Sequence, residues 1–130
     1  MAPVAFRIWQ AEDHESGTKY PTARVVDRDG NVLVQGSFTG AILQRVYDLS
    51  SATPQTAVLS NTVAVASVIF NTLQTWDIDD VGFNFRTGVT SNEVAWEGGH
   101  SYRFSYLAPH TTQGYIPIVF ELKVIAQLSA

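Results

Sequence analysis

The chain has 130 residues and a mass of 14.3 kDa, the size of a single domain that buries a core without disulfides or metals. It contains no cysteine, which excludes disulfide frameworks, thiolate zinc sites and cysteine nucleophiles. The net charge of −4 gives no basic footprint for phosphate backbones or anionic lipids. We therefore expect one domain over residues 1–130, with neither nucleic acid nor a membrane as partner.

The N-terminal segment combines an apolar stretch with an acidic one. Alternation over Val4–Trp9 predicts a strand, and residues 11–17 are acidic and turn-forming, which predicts a solvated loop. We interpret residues 1–21 as a candidate assembly arm, with Trp9 as a candidate partner-binding residue. The segment lacks a basic region followed by an apolar run of about 7–15 residues, so no signal peptide is expected.

Period-two alternation between turn formers predicts the remaining elements in chain order. Asp29-Gly30-Asn31 joins two of them into a hairpin in which Gly30 supplies the positive φ. The predicted strands are 23–27, 32–35, 42–49, 62–70 (one strand or a pair), 82–87, 102–107 and 115–124, the last two joined by loop 108–114. Spacing of i, i+4 predicts a short helix only in 69–76. About seven to eight strands with at most one short helix predict an all-β Greek-key sandwich, with a closed barrel as the competing architecture.

Three carboxylates lie close together in the sequence at Asp77, Asp79 and Asp80. A hard cation such as calcium would relieve their mutual repulsion, which makes them weak candidates for a metal site. The alternative is an exposed loop whose aspartates accept backbone N–H bonds. We expect no resident cofactor.

No enzyme signature is present. Glu93 and Glu97 form a carboxylate pair of the kind that occurs by chance, and we interpret both as turn residues. His14, His100 and His110 are scattered and lack zinc-ligand spacing. Nucleophile elbows, phosphate-binding loops and dinucleotide fingerprints are absent from the sequence. The chain is therefore not expected to be an enzyme.

Aromatic residues serve either as core or as a stacking surface for sugars. Alternation assigns most of them to the core, among them Phe83, Phe85, Tyr102, Phe104 and Tyr106. Trp96 lies in a stretch of turn formers and is expected to be exposed, which makes it the preferred candidate for ligand or partner binding. Tyr115 is the second candidate.

The second half contains Gly98-Gly99-His100-Ser101-Tyr102 followed by Arg103-Phe104-Ser105-Tyr106, and then a glycine hairpin and an apolar last strand. The first half contains Asp27-Arg28-Asp29-Gly30 and Val46-Tyr47-Asp48. Over residues 22–124 the chain resembles the immunoglobulin-like domains of small virion proteins of tailed bacteriophages, and is similar to the N-terminal sandwich of phage baseplate upper proteins. The resemblance implies an immunoglobulin-like sandwich, a structural role in a particle and no catalysis.

Two functions follow as hypotheses. The first is a virion structural protein that docks on a capsid, neck, tail or baseplate and binds other virion proteins and copies of itself. It is favoured by a charged fraction of only 15%, by lysine at Lys19 and Lys123 alone, and by apolar terminal stretches, 4–9 and 119–128, as exposed edges. The alternative is a carbohydrate-binding module that uses Trp96 and Tyr115, with calcium held by the three aspartates.

Overall fold

The computed structural model of the chain describes residues 10–14, 17–27, 29–76 and 80–125. Within these ranges the chain forms eight strands: β1 Gln10–His14, β2 Thr22–Ala23, β3 Ile42–Asp48, β4 Ala57–Val63, β5 Ile69–Gln74, β6 Phe83–Arg86, β7 Ser101–His110 and β8 Gly114–Ile125. A 3-10 turn at Gln35–Ser37 precedes β3, and one helical turn, α1 (Val65–Val68), joins β4 to β5. Strands are therefore the dominant regular structure of the described residues.

The strands form two sheets that pack as a sandwich. The larger sheet has the order β1-β8-β7-β3-β4, and the smaller one has the order β2-β6-β5. In an immunoglobulin sandwich strands B, E and D share one sheet while G, F, C and C′ share the other. Here β2, β6 and β5 occupy the first set of positions and β8, β7, β3 and β4 the second. The expected immunoglobulin-like all-β sandwich is confirmed, and β1 extends the larger sheet by parallel pairing with β8.

A tyrosine corner supports the same assignment. Tyr102 lies near the start of β7, and its Oη accepts a hydrogen bond from the backbone N–H of Glu97 at 2.8 Å. In antibody domains this tyrosine precedes the second disulfide cysteine by two residues. That position is held by Phe104, which is fully buried. An aromatic ring thus stands where antibody domains have a disulfide sulfur, and it packs against Trp96 with ring centroids 5.7 Å apart.

The core lies between the sheets and follows from strand alternation. On β3, β7 and β8 every second side chain is buried, as the sequence pattern predicts. These inward positions are Ile42, Gln44, Val46, Asp48, Tyr102, Phe104, Tyr106, Ala108, Ile116, Ile118, Phe120, Leu122 and Val124. Two of them, Gln44 and Asp48, are polar. Gln44 Oε1 accepts from the Tyr106 hydroxyl at 2.7 Å and its Nε2 donates to Asn61 Oδ1 at 2.8 Å, so Gln44 is satisfied.

The prediction for residues 62–76 is wrong in detail. Residues 62–70 are not a strand or a strand pair, because they contain the end of β4, all of α1 and only the start of β5. The predicted helix at 69–76 is strand β5 over Ile69–Gln74. The chain has to cross from one sheet to the other here, so its one helical turn lies at the crossing, on Val65–Val68, and not where i, i+4 spacing suggests.

Two expectations about the chain ends also change. Part of the acidic stretch 11–17, expected as a loop, belongs to β1 and pairs with β8. Strand β8 lies between β7 and β1 and is therefore not an exposed edge. The final hairpin is confirmed, but its turn is only Thr111–Gln113 because both strands extend further than predicted. The predicted strand at 4–9 lies outside the described residues.

Candidate functional site

The most unusual surface of the molecule is one side of the sandwich that carries no charge. From Leu49 to Trp76, about a fifth of the chain, the sequence contains no Asp, Glu, Lys, Arg or His. This run forms β4, α1 and β5, and we call it the uncharged side. Because β4 and β5 are joined by a single helical turn, the two sheets present neighbouring edges on this side.

Both edge strands expose polar or apolar neutral groups. On β4 the consecutive residues Ser60, Asn61 and Thr62 are all exposed, and Val58 is 48% exposed. On β5 the exposed residues include Leu73. Native edge strands usually carry lysine, proline or an inward charge that prevents pairing with another chain. None of these three devices occurs in β4 or β5, and the bulge of β4 near Val58 leaves Leu59–Val63 in regular register.

The two edges differ in how much of the backbone is already engaged. The 3-10 turn packs beside β5, where the Gln35 side chain donates to the Ile69 carbonyl at 2.9 Å. The Gln35 backbone N–H donates to Asn71 Oδ1 at 2.8 Å. Pairing of β5 with β6 is also irregular between Ile69 and Gln74. For β4, by contrast, the described residues contain no element other than β3 that pairs with it. The edge of β4 is thus the more accessible template for a further strand.

Two grooves flank the uncharged side. One of about 430 Å³ lies beside α1 and is lined by residues of the turn together with Tyr20 and Arg86, whose guanidinium stacks on the Tyr20 ring at 4.7 Å. The other, of about 700 Å³, lies on the outer face of the larger sheet and continues to Pro54 and Gln55 just before β4. An ion pair of Arg103 with Glu121 at 3.0 Å spans that face. Both grooves are open, with few convergent polar groups, as suits a docking surface better than a small-molecule pocket.

The expectation that Trp96 is exposed is wrong. Its side chain is 6% exposed, and its ring packs edge-on against Tyr102 with centroids 5.0 Å apart. Its Nε1–H donates to the Gly17 carbonyl at 3.1 Å, and Lys19 Nζ lies 5.7 Å from the ring centroid. Trp96 closes the end of the core beside Tyr102. The turn-forming residues around it in the sequence therefore do not make its side chain exposed. Its indole is not available for stacking on a sugar.

The remaining sequence candidates do not form one site. Tyr115 is 65% exposed as expected, but it follows the β7–β8 turn. Trp96 lies just before the other end of β7, and ten residues of strand span about 33 Å. Asp80 is exposed, while Asp77, Asp79 and Trp9 lie outside the described residues. The structure therefore does not bring the two proposed sugar-stacking aromatics together.

A cluster that the sequence pattern did not indicate joins Asp48, Glu97 and His100. His100 Nδ1 lies 2.7 Å from Asp48 Oδ2, and its Nε2 lies 3.2 Å from Glu97 Oε2. The hydrogen bond to Asp48 raises the pKa of His100, partial burial opposes the rise, and the nearby carboxylate charges add to it. Both ring nitrogens are thus engaged by carboxylates, the geometry of an imidazolium clamp between the end of β3 and the loop before β7. Asp48 is far from His100 in sequence, so only strand pairing reveals the contact.

Comparison of the chain with protein-family models, curated proteins and solved structures finds no match. Among the described residues, no helix is long and apolar enough to cross a membrane.

Proposed function

We propose that the chain is a non-catalytic structural subunit that docks on a symmetric assembly through its uncharged side. The observation that carries the proposal is the run from Leu49 to Trp76, in which two neighbouring sheet edges lack any charge. Main-chain hydrogen bonds from such an edge provide affinity, and side chains on alternating positions provide specificity. The resemblance of residues 22–124 to tailed-phage virion domains favours a capsid, neck, tail or baseplate as that assembly.

The titratable groups support a structural role. In the described part of the chain, the group of three that meets closely is Asp48, Glu97 and His100. Its atoms pair with one another, with His100 Nδ1 at 2.7 Å from Asp48 Oδ2 and His100 Nε2 at 3.2 Å from Glu97 Oε2, and the pairs fasten the end of β3 to the loop before β7. Nothing in the geometry favours sugar binding as a second function, since Trp96 is buried and far from Tyr115 along β7.

Sedimentation of particles tests the proposal. A lysate from the natural source of the gene is separated on a density gradient, and the fractions are probed with an antibody against the chain. The protein is expected in the particle fractions, and Thr62→Lys in β4 is expected to move it to the top of the gradient. Thr112→Lys in the exposed β7–β8 turn is the matched control and should sediment like the wild type. Wild-type protein found only as a free 14.3 kDa chain would contradict the proposal.

A further inference from the structure

We infer that the partner of β4 is a second copy of this chain, with the two β4 strands paired antiparallel about a two-fold axis. The inference rests on the proposed function, because it names the partner of the uncharged side. This pairing joins the larger sheets of the two copies into one continuous sheet across the dimer.

The backbone of β4 is suited to accept another strand. Residues Leu59–Val63 keep a regular register with β3, and the single irregularity of that pairing lies earlier, near Val58. A strand with one paired side presents a row of N–H and C=O groups on the other side. Along Ser60–Thr62 the side chains are exposed and short, so nothing bulky hinders the approach of a second chain.

Charge favours pairing of β4 with itself over pairing of the β1 edge, and coverage disfavours the β5 edge. Two copies with a net charge of −4 each repel one another, and the repulsion is least where the contacting surfaces carry no charge. The opposite edge of the same sheet is β1, whose sequence contains Glu12 and Asp13. Pairing of β1 with itself would bring two acidic sequences together, which is unfavourable. The β5 edge is partly covered by Gln35.

The faces of β4 are self-complementary. Leu59 and Val63 lie on the inner face and pack against the core, while Ser60 and Thr62 lie opposite Arg45 and Leu43 on the outer face. Antiparallel pairing about any residue of β4 sets inner positions beside inner positions and outer beside outer. Leu59 and Val63 of one copy thus continue the inner face of the other, on which Asn61 lies between them and accepts a hydrogen bond from Gln44. A two-fold contact of this kind is isologous and closes as a dimer.

A single-cysteine scan tests this arrangement, because the chain has no cysteine of its own. Only the residue at a two-fold axis faces its own copy, and a residue two positions away is separated from its copy by about 13 Å. After mild oxidation of purified variants Ser60→Cys, Asn61→Cys and Thr62→Cys, the disulfide yield should be highest at one of the three positions and lower at the other two. Thr112→Cys in the β7–β8 turn is the control and should give little dimer.

Sedimentation equilibrium of the purified wild-type chain at concentrations up to about 1 mM provides the second readout. A concentration-dependent dimer is expected, and Thr62→Lys should weaken it by about tenfold or more, whereas Thr112→Lys should leave it unchanged. A chain that stays monomeric at ~1 mM and shows no preferred disulfide position would overturn the inference. So would a dimer that Thr62→Lys does not affect. Failure here is distinct from failure of the proposed function, which the particle gradient decides separately.

Discussion

The Asn84 side chain bonds to the backbone of both segments that flank the Asp27–Asn31 turn. Its substitution should therefore lower the free energy of unfolding more than substitution of an exposed asparagine. The residue is fully buried in β6. Its Oδ1 accepts from the Val25 N–H at 2.7 Å, while its Nδ2 donates to the carbonyls of Val25 at 3.0 Å and Leu33 at 2.7 Å. The segments on either side of the Asp27–Asn31 turn are thereby fastened to the smaller sheet.

Asn84→Ala removes all three hydrogen bonds. It leaves the Val25 N–H and the Leu33 carbonyl without the partner that Asn84 provides in the core. Each hydrogen bond contributes about 1 kcal/mol to the free energy of unfolding. A buried polar group left without a partner lowers that free energy by a further ~1–3 kcal/mol. We expect the free energy of unfolding to fall by about 3–5 kcal/mol, as measured by urea denaturation followed by tryptophan fluorescence. Asn92→Ala in an exposed turn is the control and should stay within about 0.5 kcal/mol of the wild type.

Asn84→Asp distinguishes hydrogen bonding from a loss of volume. A carboxylate keeps the bond from Val25 but sets an acceptor against two carbonyl oxygens, so burial and these oxygens should raise its pKa in the folded state. When the pKa of a group is higher in the folded state than in the unfolded state, the free energy of unfolding falls as the pH rises through these values. Relative to the wild type, this variant should therefore be least stable near pH 7 and regain stability near pH 4.5. A loss below about 1 kcal/mol for Asn84→Ala, or no pH dependence for Asn84→Asp, would refute the reasoning.

Three further substitutions test other parts of the structure by urea denaturation. Trp96→Ala should cost about 3–5 kcal/mol because it empties the end of the core, whereas Tyr115→Ala at an exposed site should cost less than about 0.5 kcal/mol; equal losses would contradict the placement of Trp96. Gly82 has φ 110° and an added Cβ would meet the Gln74 carbonyl, so Gly82→Ala should cost about 2–4 kcal/mol, while Gly36→Ala, with open space around it, should be nearly neutral. The raised pKa of His100, caused first by its bond to Asp48, means that its contribution is complete below about pH 6.5 and is lost as the pH rises through the folded-state pKa; unfolding midpoints at pH 5.5 and 8.5 should show this loss in the wild type and not in His100→Gln.

The architecture was largely predictable because strand alternation is a local property. Buried and exposed positions alternate along β3, β7 and β8 as the sequence indicates, and the Asp27–Asn31 turn places Gly30 at a φ of 84°. The strands predicted on either side of that turn, 23–27 and 32–35, are wrong, because only Thr22–Ala23 forms a strand and the two segments meet at a single bridge between Val26 and Val32. The crossing between sheets was not predictable in this way. Residues 64–68 adopt a helical turn because the chain has to leave one sheet and enter the other, which is a demand of the tertiary structure.

The candidate site was harder to predict because it depends on which strands form edges. The absence of charge between Leu49 and Trp76 was visible in the sequence, but its meaning required the sheet order. Trp96 shows the opposite error, since flanking turn formers suggested exposure although its ring closes the core. The contact of His100 with Asp48 depends on β3 lying beside β7, which no local pattern specifies.

The positions of the two lysines sharpen the argument for an assembled state. Lys19 is 1% exposed and lies beside the Trp96 ring, so it decorates no surface. Lys123 lies in β8, between Ser101 of β7 and Glu12 of β1. Neither lysine therefore protects an edge strand. One lysine on the exposed face of β4, at Thr62 for example, would block pairing without disturbing the core. Strand β4 carries no lysine or other charge along its whole length, which is the composition expected of an edge strand that pairs with another chain.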